Sequence, residues 1–305
     1  MSFKNWKVRE DLPPVVLHLN ISEFCNANCR FCMSRMIKGK RRTMEMDLYL
    51  RALEQYRQMG GKEIVLNPLV GEPLTDPELF CKIDPKILEG LEVSMFTNGI
   101  LLNNNDNVSK LLDSGVSYIH VSLAAFDKKI HAREMGVDCY DEVKEGIIRL
   151  LTKNEELGKP KRISFEIKGG ISNLFTNDFI SDILPLVDSQ FVSENIIVSK
   201  LFDDWIGVLS KNDLGKGCGF KPKGVLRRRP CYWPFSLTVM TSGLVRACGC
   251  RFGIAGKNDA LVVGDLNKDT LETIWKSNAL KKIRRAYGER NQVEICRKCR
   301  AYWPV

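Results

Sequence analysis

The sequence predicts an α/β protein built as a partial, open (β/α)6 TIM-like barrel followed by a C-terminal hairpin-plus-helix unit. Three observations carry this. Six short runs rich in Val, Ile or Phe alternate with segments whose apolar residues recur every three or four positions. That rhythm stops after about residue 205, and six of the eleven cysteines fall after residue 217.

The runs Val15–Ile21 (VVLHLNI), Glu63–Asn67 (EIVLN), Glu92–Phe96 (EVSMF), Tyr118–Leu123 (YIHVSL), Ile163–Lys168 (ISFEIK) and Asn195–Lys200 (NIIVSK) have the length and composition of strands. Between them Tyr140–Leu151 is the clearest helix, with Val143, Ile147, Ile148 and Leu151 on one face. Other helices are expected to begin near Asp47, Asp76, Asp106 and Asn177, because Asp and Asn are favoured N-caps. Such alternation implies parallel pairing through right-handed crossovers. Asp213–Pro230 is rich in Gly, Lys and Arg and reads as a linker. Beyond it, Ser236–Met240 and Leu244–Ala247 flank Thr241-Ser242-Gly243, a loop suited to a hairpin, and Leu271–Tyr287 reads as one helix with Ile274, Trp275 and Leu280 inside. The expected boundaries are 1–212 for the barrel, 213–230 for the linker and 231–305 for the tail unit.

A length of 305 residues leaves ample material for a core. No run approaches the roughly 18 consecutive apolar residues of a membrane helix, and MSFKNWKVRED lacks a signal-peptide stretch, so a cytoplasmic protein is expected. Forty-six basic against 37 acidic residues give a net charge of +9, but only Lys38–Arg42 and Arg227–Arg229 cluster, without interleaved aromatics. Nucleic acid is therefore not an expected partner. An odd eleven cysteines without an export signal point to metal rather than disulfides. Cys81 and Cys139 read as small buried hydrophobes, and His18 and His120 as packed or hydrogen-bonded strand residues.

Cys25, Cys29 and Cys32 stand on one loop directly after the first strand. Three thiolates there can hold three irons of a cubane and leave the fourth iron open. A structural zinc site needs a fourth ligand that no nearby His or Cys supplies.

This spacing, in an alternating β/α chain, resembles the radical S-adenosylmethionine (SAM) superfamily. The resemblance implies a SAM-binding 4Fe–4S cluster on Cys25, Cys29 and Cys32, with SAM on the open iron. Phe31 then contacts adenine. Val70-Gly71-Glu72-Pro73 follows the second strand where the family has a Gly-Gly-Glu-type loop for the methionine amine; Val replaces the first glycine, while the Gly71–Glu72 backbone remains. Thr97-Asn98-Gly99 closes the third strand as TNG does in many members. Ser122 and Lys168 are the expected carriers of ribose and carboxylate contacts. Taken singly, GEP and TNG are also ordinary strand-to-helix turns.

Cys231, Gly243 and Cys248 match the opening half of the SPASM pattern, and Cys296-Arg-Lys-Cys299 supplies the ending of its shorter form, twitch. The resemblance implies a second, auxiliary 4Fe–4S cluster on Cys231, Cys248, Cys296 and Cys299. A four-cysteine zinc ribbon has the same ligand arithmetic.

By the same resemblance, an electron from a flavodoxin or ferredoxin-type donor cleaves SAM to methionine and a 5′-deoxyadenosyl radical, which removes hydrogen from a small carbohydrate or aminocyclitol. Cys250, two residues beyond Cys248, is the candidate hydrogen donor for an epimerisation, although it reads equally as an alternative ligand or an inert neighbour. A dehydrogenase with the auxiliary cluster as electron acceptor, or a peptide-modifying maturase, is the alternative. Asp203, Asp204 and Trp205 can hold and stack on a sugar, or serve as a helix cap and a core residue.

Overall fold

The computed structural model describes residues 12–36, 40–67, 70–223, 231–249, 259–288 and 291–303. Strands β1 (Leu17–Leu19), β2 (Glu63–Leu66), β3 (Glu92–Thr97), β4 (Tyr118–Leu123), β5 (Arg162–Ile167) and β6 (Ile196–Val198) pair in parallel, each with its sequence neighbour. Between them run α1 (Met46–Gln58), α2 (Leu79–Lys82), α3 (Asn105–Asp113), α4 (Lys128–Met135), α5 (Tyr140–Glu156) and α6 (Ser189–Asn195). The short strands β7 (Leu201–Phe202) and β8 (Gly219–Phe220) form a separate parallel pair. Then β9 (Leu237–Val239), β10 (Leu244–Arg246) and β11 (Val262–Asp265) join the main sheet beyond β1, giving nine strands in the order β11-β10-β9-β1-β2-β3-β4-β5-β6. Helices α7 (Leu271–Trp275), α8 (Asn278–Gly288) and α9 (Glu294–Lys298) complete the described chain.

The expected partial barrel is present, and the period of the strands explains its two faces. In β4, Ile119, Val121 and Leu123 are buried while Tyr118, His120 and Ser122 are half-buried, as alternation requires. The buried set faces the helices. Leu17, Leu19 and Ile21 share one core with Tyr49, Ala52, Leu53 and Tyr56 of α1, each fully buried apolar side chain contributing about 1.5–3 kcal/mol. The opposite face forms the lumen.

Four expectations change. The helix expected from Asp76 is the short α2: Asp76 accepts from the Glu78 amide at 3.0 Å and pairs with the buried ammonium of Lys82 at 2.6 Å, but Asp84-Pro85 follows at once, and a proline disfavours helix in the residue before it. Cys81 is exposed rather than buried, since Leu79 and Lys82 supply the inward positions of α2. The helix expected near Asn177 is a π-helical turn, Phe179–Ile183, passing into a 3-10 turn at Leu184–Leu186, where Pro185 removes a backbone donor. Leu271–Tyr287 is two helices, with Ser277 accepting from the backbone of Leu280 at 3.3 Å and starting the second. Within the expected linker, Gly219–Phe220 form β8. The hairpin turns at Gly243, φ +88°, where a Cβ would lie 2.2 Å from the side-chain amide of Asn267. Among the described residues, no helix is long and apolar enough to cross a membrane.

Candidate functional site

A cavity of about 340 Å³ opens at the carboxyl ends of the parallel strands, the end at which barrel sites form. Cys25, Cys29 and Cys32 border it on the loop after β1. That loop is fastened to the end of α4: the amides of Asn28 and Arg30 donate to the carbonyls of Met135 and Glu134, both at 2.9 Å. The close approach requires Gly136, whose φ is +69° and whose Cβ would meet the Asn28 carbonyl at 2.3 Å.

Burial pushes the Cys25 thiol up to about 11 and raises those of Cys29 and Cys32 as well. Cys32 adds to the rise at both of the other thiols, so the three stand close together. Arg41, Lys168 and Arg35 partly offset burial at Cys32. Buried thiols that ionise only against a metal, ringed by cations, suit an anionic iron–sulfur cluster. The donor set fits the cubane.

The loop after β2 meets this cluster loop edge to edge. Gly71 has φ +93°, and a Cβ there would stand 1.9 Å from the Ser22 carbonyl, so glycine alone fits. The backbone amide of Glu72 donates to the Phe24 carbonyl at 2.7 Å. Its buried carboxylate accepts from the Thr97 hydroxyl at 2.8 Å, the Asn98 amide at 2.6 Å and the Leu74 amide at 3.2 Å. Burial still lifts the carboxyl to about 7. Thr97 also accepts from Gly99 at 3.1 Å, while the Asn98 side chain reaches Asn26 at 2.8 Å and the Cys25 sulfur at 3.7 Å. Glu72, Thr97 and Asn98 thus bind the two glycine turns and the cysteine loop into one rim of the cavity.

Phe31, Ser122, Lys168, Asp203 and Trp205 also border the cavity. Lys168 pairs with Glu166 at 2.6 Å, and Ser199 donates to Glu166 at 2.9 Å. Burial opposes the Glu166 charge, but these two partners outweigh it and hold its carboxyl below the ordinary range. Sequence reasoning missed Glu166; its signal is an acidic residue on the lumen face of a strand. It missed Asn67 too, whose amide joins the two loops. Asp204 does not line the cavity: it is buried and paired with Arg300 at 2.6 Å. His120 hydrogen-bonds Ser164 at 2.8 Å and stacks on Phe96 with centroids 4.4 Å apart.

Register extends the lumen face to the tail. Tyr118 shares a face with Ser122, and successive partners run from Tyr118 to Ser94, Val65, His18 and Thr238. The backbone at Gly249 abuts this end: a Cβ there would lie 3.0 Å from Thr238 Oγ1 and 3.8 Å from the His18 ring. Cys250 itself lies outside the described residues.

Cys231, Cys248, Cys296 and Cys299 are all buried. Burial pushes the Cys231 thiol up to about 11, with Cys248 and Cys299 close enough to add to it. Cys296 and Cys299 are joined by a backbone hydrogen bond of 3.3 Å at the end of α9.

A family model for the radical SAM superfamily matches residues 19–154, and one for the SPASM iron–sulfur cluster-binding domain matches residues 231–300. The chain thus carries a radical SAM domain and a C-terminal SPASM-type iron–sulfur domain, and it is an enzyme. Its cofactors are SAM and a 4Fe–4S cluster, with auxiliary iron–sulfur in the SPASM-type domain.

This radical SAM chain is 26% identical over 193 residues to GTP 3′,8-cyclase of Staphylococcus epidermidis, covering 60% of this chain and 52% of that one. It is 23% identical over 145 residues to the tungsten-containing aldehyde ferredoxin oxidoreductase cofactor-modifying protein of Pyrococcus furiosus, covering 48% and 40%. The match spans about half the length of these curated relatives or less. Among solved structures, BtrN in complex with AdoMet and 2-DOIA superposes with TM-score 0.58 at 17% identity, over 93% of this chain and 92% of that one. SuiB of Streptococcus suis bound to the precursor peptide SuiA gives 0.62 at 15% identity, over 95% and 70%. These likenesses are of fold.

Proposed function

We propose that this radical SAM enzyme removes a hydrogen atom from a carbon of a small carbohydrate or aminocyclitol and epimerises that carbon, with Cys250 as hydrogen donor. The observation that carries the reading is the cavity, which gathers Cys25, Cys29 and Cys32 with Gly71, Glu72, Asn98, Ser122 and Lys168 at the barrel mouth. Cys25, Cys29 and Cys32 hold one cluster; Cys231, Cys248, Cys296 and Cys299 hold the auxiliary one. When bound, the first cluster and SAM supply reductive cleavage to methionine and a 5′-deoxyadenosyl radical. The chain supplies position. The Gly71–Glu72 rim and Lys168 receive the polar end of SAM, Phe31 the adenine, and Ser122 the ribose.

The cavity volume is that of a small-molecule site, and its charged residues include both signs. Further into the lumen, His18, Asn20 and Thr238 have buried polar atoms without hydrogen-bond partners among the described residues, which suits a substrate rich in hydroxyl groups. BtrN, whose complex holds 2-DOIA, matches this chain nearly end to end. Gly249 against Thr238 brings the chain to the lumen one residue before Cys250. The Cys250 thiol gives its hydrogen atom to the substrate radical; one electron and one proton then restore the thiol. The electron donor is an acidic flavodoxin or ferredoxin-type protein, complementary to the net charge of +9.

The test is anaerobic reconstitution followed by SAM, dithionite and candidate sugars in deuterated water. An epimerase yields 5′-deoxyadenosine and a product carrying one solvent deuteron. A product two hydrogens lighter would instead make the auxiliary cluster an electron acceptor, and absence of 5′-deoxyadenosine would sink the reading. The SuiB likeness gives peptide modification as the second reading, separated by the same assay with peptides as substrates.

A further inference from the structure

One short segment touches both cysteine sites. On one side, Phe202 packs on Phe31 with ring centroids 5.3 Å apart, and the Trp205 indole donates to the Phe31 carbonyl at 3.4 Å. Phe31 stands between Cys29 and Cys32. On the other side, Arg300, the residue after Cys299, donates from Nε to Asp204 Oδ2 at 2.6 Å. It also donates to the Lys221 carbonyl at 2.6 Å and lies 5.5 Å over the Phe220 ring. The second oxygen of Asp204 accepts from the Ile206 amide at 3.1 Å.

The backbone between these attachments is strained. Trp205 and Ile206 have φ of +48° and +65°, a region that aromatic and β-branched residues rarely occupy unless their surroundings impose it. The turn is held by the Asp204 carbonyl, which accepts from the Gly207 and Leu209 amides, both at 3.0 Å, and by its carboxylate, which Arg300 fixes in turn. The strained turn adjoins Asp203 and Trp205, which border the cavity. A buried ion pair costs desolvation and is weak support for stability as such; it fixes geometry here instead.

We propose that Arg300 and Asp204 are positioning residues whose ion pair sets the Asp203–Trp205 wall against SAM only when the Cys296–Cys299 element is folded. This rests on the reading of the first site as the SAM site. The tail element then sets SAM affinity through a wall of the barrel, with Phe31 as the receiving contact.

Arg300→Gln keeps the Asp204 turn and removes only the charge partner, so it is the first variant to examine in the reconstituted holoenzyme. The expected result is a KM for SAM raised about tenfold, with kcat for substrate-free 5′-deoxyadenosine formation within about twofold and iron content unchanged. Amide hydrogen exchange should quicken across residues 201–206. Asp204→Asn should behave alike, and the double variant should be no worse than the more affected single one, because both remove the same pair. Arg300→Lys should restore part of the affinity by restoring the charge. Unchanged exchange and KM in Arg300→Gln, additive effects in the double variant, or loss of iron from the first site would overturn the proposal. Exchange needs no turnover, so a wild-type protein that fails to cleave SAM would sink the SAM-site reading while the exchange result still decides whether the Arg300–Asp204 pair holds the 203–205 wall.

Discussion

Asn67 fastens Ser22, at the head of the cysteine loop, to the loop after β2. Its Oδ1 accepts from the Ile21 and Ser22 amides at 2.8 and 3.2 Å, and its Nδ2 donates to the Ser22 carbonyl at 2.8 Å. Asn67 itself has φ +48°, which Asn tolerates better than most residues.

Asn67→Ala removes the side-chain partner of four backbone groups, the Val70 carbonyl at 3.4 Å being the fourth, and keeps the left-handed backbone. A loss of about 2–4 kcal/mol is expected. Chemical denaturation of the metal-free protein measures it, and iron per chain after reconstitution should fall at the first site. Wild-type stability in Asn67→Ala would show that the loops hold without this side chain.

His131 is fully buried, with neither ring nitrogen hydrogen-bonded among the described residues, and burial lowers it to about 4. The neutral form is therefore favoured in the fold. An unfolded chain takes up the proton near 6.5, so stability is fully present above that value. It falls as pH drops from 6.5 towards 4, by up to about 3 kcal/mol for this residue. His18 and His120 are lowered to about 4 by the same cause and add to the slope. In the metal-free protein, His131→Leu should flatten the loss of Tm between pH 7 and pH 5. An equal slope in both proteins would remove His131 from the account.

The six parallel strands, the hairpin and both cysteine groups were legible because their signals are local: strand-length apolar runs, a Thr-Ser-Gly turn, and fixed Cys spacing; that the hairpin joins the sheet beside β1 was not. Asn67 was not, because its partners lie 45 and 46 residues away in sequence; Glu166 was not, because its partner Lys168 is only two residues on but its place on the lumen face and its Ser199 donor, 33 residues away, are set by the fold. Asp204 read as a sugar-binding residue or helix cap for the same reason, since Arg300 is separated from it by 96 residues. The division at Lys276–Ser277 and the shortness of α2 turned on single residues, Ser277 and Pro85, that outweighed the apolar pattern around them.

Lys168 is the partner that keeps Glu166 ionised in a half-buried position. Lys168→Met removes that cation from the cavity and leaves only the Ser199 hydroxyl and the Lys221 charge to oppose burial, so the Glu166 carboxyl rises. The KM for SAM should increase about tenfold, as expected for loss of one charge-assisted contact. The acid limb of the pH profile should move to higher pH, while Lys168→Arg keeps it in place. An unchanged KM for SAM in Lys168→Met would take Lys168 out of the SAM site.

Gly249 gives a way to displace Cys250 without altering its thiol. Its backbone does not sit at positive φ, so a side chain is conformationally allowed, but a Cβ meets Thr238 Oγ1 at 3.0 Å and the Trp233 and His18 rings at 3.7 and 3.8 Å. Thr238 and His18 are fixed in adjacent strands and have little room to yield. Gly249→Val must therefore push the chain away from the lumen at the residue before Cys250. With Cys25, Cys29 and Cys32 untouched, SAM cleavage should continue, while the share of turnovers ending in a deuterium-labelled epimer in deuterated water falls about tenfold or more. The share of 5′-deoxyadenosine formed without epimer should rise in proportion. If Gly249→Val epimerises as the wild type does, hydrogen return does not depend on the chain at this point, and Cys250 is not the donor.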